Sequence, residues 1–380
     1  MDEGRGRYQV RASSGKILVV GAGVSGLTTA LCLAREGFRV TVLAEKFAPD
    51  IVSVVAGALW EWPPAVCGYH HDQISLARSK EWCVTSYGIF EELARANVPG
   101  VAMRRSNFYF KHPVEENPQD LNKMQELAGK VRGFVRDRSL AERNGIDPDY
   151  GVVDAYSHLA PMIDTDQYMM WLMREVEAHG VQVKRYRIEG LLADRRAELL
   201  DRFDAEAIVC CAGLGTAQLR GIDMYPLRGA LVRVRNDGIR GCRIGEAHCV
   251  SHNEGSNEQD IVFIVPRSER ILVLGGLAEK DEWGTDINLD NHGPVREMYE
   301  RCLAFMPALR NAELDPDEPV RVGLRPFRRE NVCLEWDETE QIIYNFAHGG
   351  AGFSFSWGCA QEAVGLVRSA VEDRTYSYSF

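Results

Sequence analysis

Lys16-Ile17-Leu18-Val19-Val20-Gly21-Ala22-Gly23-Val24-Ser25-Gly26-Leu27 is the stretch on which the reading of this chain turns. Ile17 to Val20 is an apolar run of strand length that enters a glycine turn. Leu27, Ala30, Leu31 and Ala34 follow at helical spacing, and Arg39-Val40-Thr41-Val42-Leu43 is a second apolar strand ending in Ala44-Glu45-Lys46. A strand–turn–helix–strand unit with G-x-G-x-x-G at its turn is a dinucleotide site. Gly21 permits the tight turn, Gly23 lets a pyrophosphate reach the backbone, and Gly26 lets helix and strand pack closely. The helix start, at Val24 and Ser25, offers free N–H groups and partial positive charge to phosphates. Glu45 lies about 20 residues past the last glycine, where an acid binds ribose hydroxyls. An acid there disfavours a 2′-phosphate, so the expected ligand is FAD or NAD rather than NADP.

The chain has 380 residues, which at about 150 per domain predicts two or three domains or one interleaved pair. A hydrophobic content of 45% supports a large core, and a net charge of −11 argues against a nucleic-acid surface. The ten cysteines are scattered without a CxxC, and no secretory segment precedes them, so reduced thiols in a cytoplasmic protein are expected. No apolar run reaches about 18 residues, so no membrane span is expected. His70-His71-Asp72 resembles a metal cluster in composition only, because adjacent side chains diverge. Asp72 is read instead as the cap of a helix from about Ile74 to Leu93, and no metal site is expected.

Val52 to Trp60 is an apolar run with small residues at its centre, against which a flat ring or an ordinary strand neighbour could lie; Glu61-Trp62-Pro63-Pro64 ends it. Residues 97 to 160 read as short strands and turns. Asp164-Thr165-Asp166 caps a helix that His179-Gly180 closes, and Val181 to Lys184 is a strand. Ala207 to Cys211 is a buried strand entering a glycine turn, placed beside the first strand of the nucleotide sheet. From Pro226 the pattern turns antiparallel, with strands at 230–234, 261–266 and 271–276 around a polar loop, Asn253 to Asp260. A helix from Gly293 to Phe305, a strand at 320–326, a strand at 341–346 and a last helix from about Trp357 to Asp373 complete the chain.

Taken together these residues resemble the D-amino-acid oxidase family of FAD enzymes. The blocks that carry the resemblance are Gly21 to Leu27, Ala44 to Phe47, Ala56 to Trp60, Cys211-Ala212-Gly213, Leu227-Arg228-Gly229 and Leu274-Gly275-Gly276. Gly323-Leu324-Arg325-Pro326 and His348-Gly349-Gly350-Ala351-Gly352 make it specific. The resemblance implies an α/β fold: a Rossmann-like FAD-binding domain interleaved with an antiparallel-sheet substrate domain. Residues 15–75, 165–225 and 320–373 are assigned to the first, and 76–164 and 226–319 to the second. The early glycines and Glu45 would hold the ADP half of FAD, Ala58 and Leu59 would lie by the flavin's reactive edge, and Ile188 and Ala212 would contact FAD through backbone. Val24, Ser25, Lys46, Ser53, Gly57 and Gly213 are further FAD-binding candidates that the resemblance implies. Gly349, Gly350, Ala351, Gly352, Phe353 and Ser354 would face the pyrimidine end of the flavin, where free N–H groups ahead of a helix favour developing negative charge.

Arg325 would lie over the flavin and hold a substrate carboxylate in a bidentate grip, which a guanidinium does better than an ammonium. Arg325 and Gly350 are therefore the catalytic candidates. Two tyrosines of the family pattern are missing: Phe263 stands where one is expected, and Ala278 falls near the other. Each lost hydroxyl-to-carboxylate bond is worth roughly 1.5–3 kcal/mol. Tyr69, His70 and Trp62 are weighed as residues that reshape the pocket, and Arg328 and Arg329 as surface or dimer residues, a homodimer being left open. The implied reaction is oxidation of a C–N bond: hydride passes from the α carbon of a D-amino acid, or a related amino or imino acid, to flavin N5, and oxygen takes the electrons to give peroxide. No acid–base residue is required on the carbon. The alternatives are an amine oxidase for a larger or non-carboxylate substrate, and a protein that binds FAD without turnover.

Overall fold

The computed structural model describes residues 15–64, 67–239, 243–250 and 261–377. The polar stretch Asn253 to Asp260 lies outside them. In chain order the elements are β1 (Lys16–Val20), α1 (Val24–Arg35), β2 (Arg39–Ala44), α2 (Val52–Val55), α3 (Gln73–Arg95), β3 (Val101–Phe110), α4 (Pro118–Ala128), β4 (Val135–Arg136), α5 (Leu140–Arg143) and β5 (Asp154–Ile163). They continue as α6 (Thr165–Ala178), β6 (Gln182–Arg185), α7 (Leu192–Phe203), β7 (Ala207–Cys210), α8 (Thr216–Arg220), β8 (Tyr225–Arg235), β9 (Ala247–Val250), β10 (Val262–Pro266), β11 (Ile271–Gly275), β12 (Glu279–Lys280), α9 (Gly293–Phe305), β13 (Val320–Phe327), β14 (Cys333–Asp337), β15 (Ile342–Phe346) and α10 (Gly352–Ser377).

Two sheets result. The first has the order β14-β15-β7-β1-β2-β6, parallel except for the β14–β15 pair. Its central strands, β1 and β7, are mostly apolar and buried, and both faces of the sheet are covered, as a parallel arrangement requires. One face packs against α1, α6 and α10 through Leu27, Leu31, Leu172, Trp357 and Val367; the other is closed by Leu192, Leu199 and Leu219. As expected, β7 lies directly beside β1, with Leu18 opposite Ile208. The second sheet has nine strands, in the order β12-β8-β11-β10-β9-β3-β5-β4 with β13 paired to β8. It is antiparallel apart from the β3–β9 pair.

Several local expectations change. Residues 97 to 160 are not short strands: β3 and β5 pair over their full length, from Val101 opposite Ile163 to Phe110 opposite Asp154. Within the same region α4 starts at Asn117, whose side chain accepts from the Gln119 and Asp120 N–H groups, with Pro118 in the first turn. Val52 to Val55 forms a turn of helix rather than strand, and Ala58 takes a positive φ of 52°. Val320–Phe327, grouped above with the nucleotide segments, hydrogen-bonds in the antiparallel sheet through an unbroken register with β8. The last helix begins at Gly352, earlier than Trp357, and leaves no connector between glycine turn and helix. Asp72 caps α3, accepting from the Ser75 N–H, and Asp164 caps α6. No helix among the described residues is long and apolar enough to cross a membrane.

Candidate active site

The two sheets enclose one long cavity of about 1190 Å³. That exceeds the roughly 300–1,000 Å³ of ordinary small-molecule pockets and leaves room for a dinucleotide with a small second ligand. At one end lie Glu45 and Lys46 from the tip of β2, with Tyr186, Arg187 and Ile188 beyond β6. Arg187 donates to Glu45 at 3.2 Å, so the acid that would bind ribose is oriented by an exposed ion pair. The middle is built by the turn Gly21 to Ser25 facing Ala212 and Gly213 after β7. In α1 the Leu27 N–H reaches the Gly23 carbonyl, so the earlier N–H groups have no acceptor inside the helix. Ser53 bonds one of them, accepting from the Val24 N–H at 3.0 Å. Gly26 is the exception among the expected contacts. It does not line the cavity; its bare Cα lies against the Gly21 carbonyl and the Cys211 side chain, so it serves the packing of helix on strand.

The far end is formed by Gly57, Ala58 and Leu59 on one side and Gly349 to Ser354 on the other. Gly349 has φ +56°, and an added Cβ would fall 2.7 Å from Phe327 Cζ and 2.9 Å from the Cys67 carbonyl carbon. This turn leads into the start of α10, whose first residues, Gly352 to Ser354, line the cavity. His348, behind it, is buried and shares a 3.4 Å contact with Ser25 Oγ; burial pushes its pKa down to about 4, so it is neutral. The segment Ala56–Leu59 is held by a residue that the sequence did not single out. Arg267 is buried and donates to the carbonyls of Ile163 at 2.5 Å, Ala56 at 2.6 Å and Gly57 at 3.4 Å.

Arg325 lines this end of the cavity, half-buried on β13. Arg321 and Arg325 share a face of the strand. Arg321 is paired with Asp166 and Glu318. Arg325 has no carboxylate partner among the described residues; its Nη1 donates to the Leu277 carbonyl at 3.2 Å. Its guanidinium lies across the bare backbone of Gly229, where an added Cβ would come within 2.5 Å of Nη1 and 2.6 Å of Nη2. Burial holds its pKa below the ordinary guanidinium value, with Glu61 acting the other way. The arrangement is a partly desolvated cation with unused donors facing a cavity, which is what captures a carboxylate.

Phe263 lines the same wall, its ring against Gly57 where an added Cβ would meet Cζ at 2.6 Å, and Ala278 is close by. Tyr69, His70 and Trp62 are not on the cavity. Trp62 is buried with Nε1 on Glu126, His70 bonds Ser79, and Tyr69 stacks on His71 outside. Their neighbours Glu61, Pro63 and Cys67 take that place, with Lys123 from α4. Arg328 is not free surface either: it donates to the Asn331 carbonyl and lies over the Phe346 ring. Among the described residues no cluster of histidine, cysteine and carboxylate side chains could hold a metal ion.

FAD fits this cavity. An acid at one end, a bare turn at a helix start and a second helix start at the opposite end stand in the order that its adenosine, pyrophosphate and ring would require. Comparison with known proteins agrees. The family model described as FAD dependent oxidoreductase matches residues 16–366. The chain is 32% identical over 358 residues to a D-amino-acid oxidase of Streptomyces coelicolor, covering 93% of this chain and 97% of that protein. It is 28% identical over 368 residues to the D-aspartate oxidase of Homo sapiens, covering 94% and 95%. Glycine oxidase from Bacillus cereus superposes with a TM-score of 0.69 over 94% of this chain and 95% of that one, at 16% identity, which speaks to the fold alone. With its cavity and its sequence in agreement, this chain belongs to the D-amino-acid oxidase family of FAD-dependent oxidoreductases.

Proposed function

We propose that this enzyme oxidises the C–N bond of a D-amino acid, or of a closely related amino or imino acid, with oxygen as the electron acceptor. The observation that carries the reading is Arg325, a guanidinium inside the cavity whose charge no described carboxylate neutralises. Relatives named D-amino-acid oxidase and D-aspartate oxidase support it. Bound FAD supplies the hydride acceptor, and the protein's task is alignment. Arg325 would grip the carboxylate with two parallel N–H donors and so fix the position of Cα. Phe263 and Leu59 line the same cavity and would give the substrate an apolar wall. The glycine turn and the start of α10, Gly350 to Ser354, would stabilise negative charge developing beside them.

One observation favours a second reading. Phe263 and Ala278 place no hydroxyl beside Arg325, so the carboxylate would lose two hydrogen bonds and a bulkier amine becomes a competitor. The test is anaerobic mixing of the yellow holoenzyme with a panel of D-amino acids, their L-enantiomers and amines without a carboxylate. Bleaching of the flavin by D-amino acids, with peroxide formed on readmission of air, supports the first reading. Bleaching by carboxylate-free amines alone supports the second, and bleaching by none refutes both.

A further inference from the structure

Glu61 is a carboxylate in the substrate end of the cavity with no assigned work. It follows Leu59 and Trp60 on the segment that would flank the flavin, and its backbone N–H donates to Ser354 Oγ at the start of α10 at 3.3 Å. Its side-chain oxygens receive no hydrogen bond and form no ion pair among the described residues. The groups around it come from five elements: Arg325 on β13, Lys123 on α4, Cys83 on α3, Tyr156 on β5 and Cys249 on β9. The first two are cations and neither closes onto it. Lys123 lies 5.7 Å from the Phe108 ring centre. Burial raises the pKa of Glu61, with Lys123 and then Arg325 opposing.

An unsatisfied carboxylate inside a protein is costly unless a ligand completes it. Arg325 and Glu61 offer opposite charges to the same cavity, and an amino acid presents a carboxylate and an ammonium one carbon apart. The ammonium cannot be oxidised as it stands. Its nitrogen must contribute a lone pair to the new C=N bond as the C–H pair departs to the flavin, so one proton must leave first. On the function proposed above, we propose that Glu61 receives the substrate ammonium and takes that proton, acting as general base on nitrogen while Arg325 holds the carboxylate. The transfer is –NH3+ plus –COO− to –NH2 plus –COOH. It needs no further reactant, and no proton is removed from carbon. A desolvated carboxylate with a raised pKa is a stronger base than one in water, which narrows the gap to the amine.

The experiment compares wild-type, Glu61→Gln and Glu61→Asp holoenzymes, each shown by its visible spectrum to hold FAD. Flavin bleaching by D-alanine is followed anaerobically from pH 6 to 10, and propionate, which has the carboxylate and no amine, is titrated by its perturbation of the flavin spectrum. At pH 7 the Gln variant should be slower by about 10²–10⁴-fold, the usual worth of a positioned base. The deficit should shrink by about tenfold per pH unit as free amine replaces ammonium in solution. Propionate should bind the Gln variant as well as the wild type or better, and Asp should restore part of the rate. A Gln variant with the wild-type pH profile, or one slowed equally at every pH with propionate binding lost, overturns the assignment. If no D-amino acid bleaches the wild type, the proposed function falls and this assignment with it. If the wild type is bleached and Glu61→Gln matches it at pH 7, only the role of Glu61 falls.

Discussion

Replacing Arg325 by leucine removes a guanidinium that already stands desolvated in the cavity, tied only to the Leu277 carbonyl among the described residues. Two hydrogen bonds to a substrate carboxylate are lost, each worth about 1.5–3 kcal/mol when the acceptor is charged. The sum, about 3–6 kcal/mol, corresponds to roughly 10²- to 10⁴-fold in kcat/KM. Little should be lost in folding, because Arg325 crosses Gly229 without an ion pair and leucine covers the same backbone. Arg325→Lys keeps the charge and loses the fork, so it should fall between leucine and wild type. The assay is the anaerobic rate of flavin bleaching against substrate concentration, with FAD content read from the visible spectrum. The leucine variant should stay yellow, bind substrate weakly and, once saturated, reduce more slowly because Cα is no longer aligned. Kinetics within about threefold of wild type on the best substrate would remove Arg325 from the site and, with it, the reading of a carboxylate-bearing substrate.

Three further outcomes follow from the geometry. Gly349→Ala forces a Cβ to 2.7 Å from Phe327 Cζ at a φ of +56°, so the turn ahead of α10 must shift; FAD titration should show at least about tenfold weaker binding, and unchanged affinity would show that the turn does not shape the flavin site. Arg267→Leu leaves the carbonyls of Ala56 and Ile163 without their donor, at about 1–3 kcal/mol each, and should lower the denaturant midpoint of the holoenzyme and loosen FAD; a midpoint equal to wild type would refute the clamp. His158 is buried with its pKa pushed down to about 4, so the unfolded chain takes up a proton near pH 6.5 that the folded chain refuses. Its share of stability is complete above about pH 6.5 and is lost as pH falls toward 4, at a slope of about 1.4 kcal/mol per unit. His158→Phe, continuing the stack on Phe108, should flatten the acid side of the denaturation curve by about one proton; an unchanged slope would mean that the histidine is protonated when folded.

What the sequence exposed was local. The β1–α1–β2 unit, the caps at Asp72 and Asp164 and the bounds of α9 rest on interactions within a few residues, so spacing and cap chemistry revealed them. The turn at Gly349 was marked through the family resemblance, and the start of the helix after it was placed too late. What stayed hidden is set by distant contact. Residues 97 to 160 read as short strands and turns, yet Asn117-Pro118 within them starts a helix, because proline is tolerated at the first turn. Arg104 and Arg105 interrupt β3, and only its full pairing with β5 shows that it is a single strand. Glu61 sits in a tryptophan- and proline-rich stretch with nothing near it in sequence to mark a site. Its approach to Arg325 and Lys123 exists only after α4, β13 and the flavin-side segment have packed. Arg267, just after β10, went unmarked, because its partners are carbonyls brought from two other parts of the chain.

The interleaving of the chain has a physical reason in the charges this cavity must meet. With FAD bound as proposed, a pyrophosphate at the middle of the cavity and charge developing on the flavin at its far end would both call for fixed positive potential. A helix N-terminus supplies about half a unit charge without a titratable group. The protein opens two such termini on one cavity, α1 from the beginning of the chain and α10 from its end. Both can face inward only if the last helix returns to the first, and α1 and α10 do pack together through Leu27, Leu31, Ala360 and Val364. The Ser25–His348 contact joins the two helix starts directly. Because burial keeps His348 neutral near pH 7, it ties them without adding a charge that would change with pH. A field made by backbone dipoles leaves titration in this end of the cavity to side chains such as Glu61, where gaining and losing a proton is useful.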